Sequence, residues 1–212
     1  MRQTSNRATT AVSPTPIPQE LCKGATKAGI VRVPARAALA VDGAGAPEGQ
    51  QFQEAVQALY SVAYTLKFAL KREHRDFRVP PLEGRWWADP APASFVLAPR
   101  ETWRWQLRLG IPSGVAPKEV FAAVAAAAAK KPVAAKVRQI RIPAQTLGRI
   151  LHVGPYQDEG RSLAAVRDAL LGAGLAPAGP HVEVYLSDPR RVEPARLRTV
   201  LLLETEGAAL SS

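Results

Sequence analysis

Short apolar positions run from residue 30 to 41 and stop at Asp42-Gly43-Ala44-Gly45, a turn signal, which predicts a first strand. From residue 50 to 72 the period changes. Phe52, Val56, Leu59, Ala63, Leu66 and Leu70 recur at spacings of 4, 3, 4, 3 and 4, one unbroken helical stripe. Tyr60, Tyr64 and Phe68 form a second row at i, i+4 and i+8, beside that stripe. Such a row either widens the core face or walls a cleft with aromatic rings.

Strands are predicted over 77–88 and 102–111. In the latter Trp103, Trp105, Leu107 and Leu109 alternate with Arg104, Gln106 and Arg108, so one side is apolar. An alanine-rich helix over 117–131 leads to a second half with the same order of elements. Residues 137–153 read as strand and end at Gly154-Pro155-Tyr156. Residues 159–171 read as helix, closed by Gly172-Ala173-Gly174, and strands at 181–186 and 197–204 complete the unit. Val33-Pro34-Ala35 and Ile142-Pro143-Ala144 echo each other. The expectation is an α+β fold of two tandem β-α-β-β modules with pseudo-twofold symmetry, an antiparallel sheet with helices on one face, and a ligand cleft between the halves. The boundaries are a disordered tail over 1–26, a domain over 27–206 and a tail over 207–212. Within the domain, the halves fall at about 27–115 and 135–206 on either side of the linking helix.

Two tracts place a glutamate in a strand among aromatic residues, where its burial needs compensation. One is Pro80-Pro81-Leu82-Glu83-Gly84-Arg85-Trp86-Trp87 and the other is His181-Val182-Glu183-Val184-Tyr185-Leu186. Alternation puts Glu183 and Tyr185 on one side, with Val182 and Val184 on the other, under the helix. A twofold relation then brings Glu83 and Glu183 into one groove, and Gly84 leaves room for a close approach. The alternative role of Glu183 is an ion pair with Arg85 or Arg108, and that of Glu83 is a pair with Arg85. His74, His152 and His181 have no metal-ligand spacing, so no metal is expected. Phosphate-binding loops, nucleophile elbows and dinucleotide fingerprints are missing, and no cofactor is expected.

The net charge of +10 is spread along the chain, with short clusters such as Lys71-Arg72, Lys130-Lys131 and Arg190-Arg191. Nothing resembles a recognition helix, so direct DNA binding is not expected. No apolar run has the length to cross a bilayer, and no secretory signal stands at the N-terminus. One cysteine, Cys22, fits a reducing cytoplasm and an ordinary free thiol.

The helical tract from Phe52 to Phe68, the Pro80–Trp87 tract, Trp103-Arg104-Trp105, His152-Val153-Gly154-Pro155-Tyr156 and the Glu183 tract through Arg191 resemble the gyrase-inhibitor-like (GyrI-like) small-molecule-binding domains. The resemblance covers about residues 27 to 205. It points to a standalone branch that includes enzymes hydrolysing the cyclopropane of DNA-alkylating cyclopropanoid antibiotics of the yatakemycin and duocarmycin type. It implies Glu183 as catalytic residue and Tyr60, Tyr64, Phe68, Trp87 and Trp105 as pocket aromatics. Arg85 stands where relatives are often apolar. For that chemistry Glu183 suits the base, Tyr156 or Tyr185 the hydrogen-bond donor, and Glu83 a second carboxyl; Tyr185 also faces the substrate. The expected partner is an aromatic small molecule, with the oligomeric state open. A non-catalytic drug-binding or sequestering domain is the runner-up. A one-chain transcription factor is not expected, since the roughly 27 residues ahead of the domain are too few for a helix-turn-helix. Inhibition of gyrase itself rests on family analogy alone.

Overall fold

A proline has no N–H to give to a ladder, so Pro34 and Pro143 each split what reads as one long strand. The computed structural model describes residues 17–22, 24–88 and 98–205. Its first half holds a helical turn α1 (Gln19–Cys22), β1 (Gly29–Val33), β2 (Arg36–Ala44), α2 (Gln50–Arg72), β3 (Glu83–Ala88) and β4 (Trp103–Ile111). Then come α3 (Pro117–Ala128), β5 (Arg138–Ile142), β6 (Gln145–Val153), α4 (Glu159–Gly172), β7 (Pro177–Tyr185) and β8 (Arg198–Thr205). The expected 77–88 strand shortens to β3 because Pro80 and Pro81 keep its first part off the ladder. The expected loop from Asp89 lies outside the described residues as far as residue 97.

All eight strands form one antiparallel sheet in the order β1-β6-β8-β7-β3-β4-β2-β5. The expected α+β fold of two modules is present, and the modules meet where β3 pairs with β7. The first strands are exchanged between them: β1 pairs with β6, and β5 with β2. Six strand spacings separate β1 from β2 in that order, about 29 Å in a flat sheet. Only Pro34 and Ala35 connect them, and three residue steps span at most about 11 Å. The sheet must therefore curl until its two edges converge at the Pro34 and Pro143 corners.

Helix α2 and α3 cover one module with a core of Leu39, Val41, Leu59, Leu66, Trp86, Trp105, Leu107 and Leu109. Helix α4 covers the other through Val166 and Leu170 against Ile150 and Leu201. The opposite sheet face is also buried: Ile17 and Leu21 pack there on Val33, Leu147, Leu151, Val182, Val184, Val200 and Leu202. Residues expected in a disordered tail thus supply two core side chains.

That second core reverses one expectation. Val182 and Val184 face away from the helices, and Glu183 and Tyr185 face toward them, because apolar alternation marks a helix-covered side only when the other side is wet. Register separates the two glutamates. Glu83 stands opposite Val184 and Gly84 opposite Glu183, so Glu83 and Glu183 project from opposite faces.

Candidate active site

The floor between α2 and α4 is the β3–β7 seam. Glu183 lies there with its side chain 12% exposed, and His181 Nε2 donates to its Oε1 at 2.8 Å. The two side chains are neighbours because they stand two apart on one strand. The Trp86 indole N–H donates to the Tyr185 hydroxyl at 2.9 Å, which leaves the Tyr185 proton free to point at the adjacent Glu183 carboxylate. Burial first, and then the Glu183 charge, hold Tyr185 well above the usual phenol range. Gly84 makes this possible, since a Cβ there would fall 2.7 Å from Trp86 Nε1 and 2.8 Å from the Tyr185 oxygen.

Tyr156 comes from the turn before α4 and meets Tyr185 edge to face, with ring centres 6.1 Å apart. That turn is braced by His152, whose Nε2 lies 3.2 Å from the Pro155 carbonyl and whose Nδ1 lies 3.0 Å from Ser162 Oγ. In the neutral ring, an Nε2–H donating to Pro155 leaves Nδ1 to accept from the serine. Gly154 ahead of it takes φ +138°, a conformation that glycine adopts without strain. Burial, followed by the charge of Glu183, pushes Tyr156 up to about 12, so it remains a protonated donor at neutral pH.

The first residue of α4, Glu159, adds a second carboxyl that is only 6% exposed. Its Oε1 is buried with no donor. Burial and then the neighbouring Glu183 charge drive it up to about 9, against the opposing effect of Thr199. Its surroundings therefore favour the neutral form of this carboxyl.

Of the residues expected at the site, the seam collects Glu183, Tyr185 and Tyr156. Tyr60 edges toward it, feeling the charges of Asp188 and Arg190 in the β7–β8 connection, and burial raises its hydroxyl. Tyr64 and Phe68 continue the row along α2 with ring centres 6.3 and 6.2 Å apart, and are 46% and 52% exposed. Three other expected residues do not join them. Trp105 is 0% exposed and packs edge-on against Phe52 in the core. Trp87 shares the opposite face with Arg85, whose guanidinium lies 5.6 Å from its ring centre. Glu83 is fully buried on that face and accepts from both terminal guanidinium nitrogens of Arg36 at 2.6 Å. Arg85 pairs with Glu204 there at 3.0 Å, so neither expected arginine is an ion-pair partner of Glu183. Arg108, also on that face, is brought down to about 10, chiefly by burial.

Sequence reasoning missed Glu159, His152 and Thr199. An acidic residue in a first helical turn is routine, so nothing marked Glu159 as chemical. His181 was findable, since period two puts it on the Glu183 side. Among the described residues no group of His, Cys, Asp and Glu could hold a metal ion, and no helix is long and apolar enough to cross a membrane.

No protein-family model and no curated protein matches the chain. Solved structures do. An uncharacterized conserved protein from Listeria innocua is 33% identical, with a TM-score of 0.81 over 88% of this chain and 96% of that one. A hydrolase from Listeria innocua is 32% identical, with a TM-score of 0.77 over 88% and 95%. The C-terminal domain of EcmrR shares the fold at 10% identity, with a TM-score of 0.53 over 85% and 97%. The two-module sheet with its helices is thus the fold this chain shares with them. This chain belongs to the family of the Listeria innocua proteins.

Proposed function

We propose that the protein is a hydrolase of the GyrI-like type that opens the cyclopropane of DNA-alkylating cyclopropanoid antibiotics, of the yatakemycin and duocarmycin type. The observation that carries this reading is the Glu183 carboxylate on the floor of the seam, held by His181 and flanked by two protonated tyrosines. The Listeria innocua relative described as a hydrolase supports the reaction class. The resemblance of the tracts around Glu183 and Tyr156 supports the substrate class.

In such a substrate a strained cyclopropane is conjugated to a dienone. Glu183 takes a proton from water as the water oxygen bonds to the ring methylene. The ring carbon–carbon bond breaks, and its electron pair passes into the dienone, whose oxygen becomes a phenolate. Tyr156, at about 12, is a weaker acid than an ordinary phenol of about 10, so it stabilises that oxygen by hydrogen bonding and keeps its own proton. The phenolate then takes a proton from solvent, and Glu183 returns its own to solvent. The products are a phenol and a primary alcohol, together the substrate plus one water. A flat aromatic substrate would rest on Tyr60 and Tyr64 of α2. Destroying a DNA alkylator this way gives self-resistance or detoxification inside the cytoplasm.

The test is incubation of the purified protein with a yatakemycin-type compound and mass spectrometry of the small molecule. The expected result is a gain of one water over many turnovers, abolished in Glu183→Gln while binding persists. Recovery of intact compound despite binding would make the protein a sequestering domain.

A further inference from the structure

We propose that Glu159 and Glu183 form one proton-sharing carboxyl pair, in which Glu159 holds the proton and Glu183 remains the anion. Glu159 is then a positioning residue for the base. Its catalytic consequence rests on the hydrolase reading, whereas its protonation does not.

Three observations converge on this assignment. Glu159 is buried at the first turn of α4, directly against the Glu183 carboxyl on β7. Its Oε1 is enclosed with no donor, an arrangement that strongly disfavours an ionised carboxylate and suits a neutral acid. Among the described residues no lysine or arginine pairs with it. Glu183 and Tyr185 face it from β7, Thr199 from β8, Tyr156 from the preceding turn, and His152 from β6 opposite Thr199; His152 is engaged with Ser162 and Pro155, and His181 with Glu183. The amide groups at the N-terminus of α4 favour ionisation, but burial beside an existing negative charge opposes it more strongly. Two carboxyls in contact with no lysine or arginine between them keep one proton between them.

The functional effect follows from where that proton sits. Donated toward Glu183, it fixes the orientation of one carboxylate oxygen, while His181 holds Oε1. The free lone pairs of Glu183 are left for water. Loss of the Glu159 proton at alkaline pH would put two negative charges at the seam and repel the developing phenolate.

Infrared titration of the ligand-free protein tests the pair without any substrate. The expected spectrum holds a neutral-acid carbonyl band at neutral pH that disappears near pH 9 and is missing in Glu159→Gln. A wild-type protein with no such band, or the same band persisting in Glu159→Gln, overturns the pairing. If turnover is found, the wild-type rate should fall through an alkaline limb near 9 that Tyr156, at about 12, cannot supply. Glu159→Gln should lower the rate less than Glu183→Gln and remove that limb. A limb unchanged in Glu159→Gln would overturn the positioning role. Absence of turnover with the titrating band present would instead count against the hydrolase reading alone.

Discussion

A methyl group added at Gly84 would press on both Trp86 Nε1 and the Tyr185 hydroxyl, the two atoms that shape the floor beside Glu183. Gly84→Ala is therefore expected to destabilise the fold by about 1–3 kcal/mol, as overpacking does, and to lower turnover more than it weakens binding. Thermal unfolding and steady-state kinetics on one preparation separate the two effects. Glu159 gives a pH prediction with a definite sign. The folded protein keeps this proton up to about 9, whereas the unfolded chain releases it near 4.3, so unfolding releases a proton between those values. Its contribution is thus fully present below the unfolded value and is lost as pH rises through that window. Glu159→Gln should flatten the fall in melting temperature from pH 5 to pH 9. Single residues were partly legible in the sequence. Gly84 announced a close approach by having no side chain, and Glu183 stood out as a charge in a strand. Glu159 did not, because its meaning comes from contact with a residue 24 positions away.

At the level of elements, α2 was legible throughout: its heptad-like stripe and aromatic row both lie where the 3.6 period puts them. The row runs from half-buried Tyr60 to exposed Tyr64 and Phe68. Tyr64→Ala should raise KM for a flat aromatic substrate several-fold and change stability by less than about 1 kcal/mol, since little of the ring is buried. Retained KM would take Tyr64 out of the binding wall. Strands were less legible. Alternation sorted β7 correctly into Val182 and Val184 against Glu183 and Tyr185, yet it could not say which set lay beneath the helices. Neither side of β7 is open to water along its length: Ile17 and Leu21 bury one, and the other is half-buried on the helix side. Nothing local to β7 encodes a segment that arrives from 160 residues upstream.

Across the whole molecule the sheet keeps two charged systems apart, the Glu183 seam on one face and the Arg36–Glu83 and Arg85–Glu204 pairs on the other. Breaking a buried pair strands its partner, so Glu83→Gln should cost about 3–5 kcal/mol of stability. Turnover per folded molecule should stay unchanged, and a joint Arg36→Met/Glu83→Leu replacement should recover much of the loss. A fall in kcat at full folding would show that the second face reaches the site. The two-module order was readable from the repeated pattern and the Val-Pro-Ala and Ile-Pro-Ala echoes. The exchange of β1 and β5 was not, because hydrophobic pattern does not say which neighbour a strand chooses. That exchange clasps the halves like two interlocked hooks. A chain nicked between Lys130 and Lys131 should still elute as one particle, and come apart only in denaturant. The floor that carries Glu183 cannot part along its own midline while the hooks hold, so admission of a bulky guest falls to the helices and connections above it.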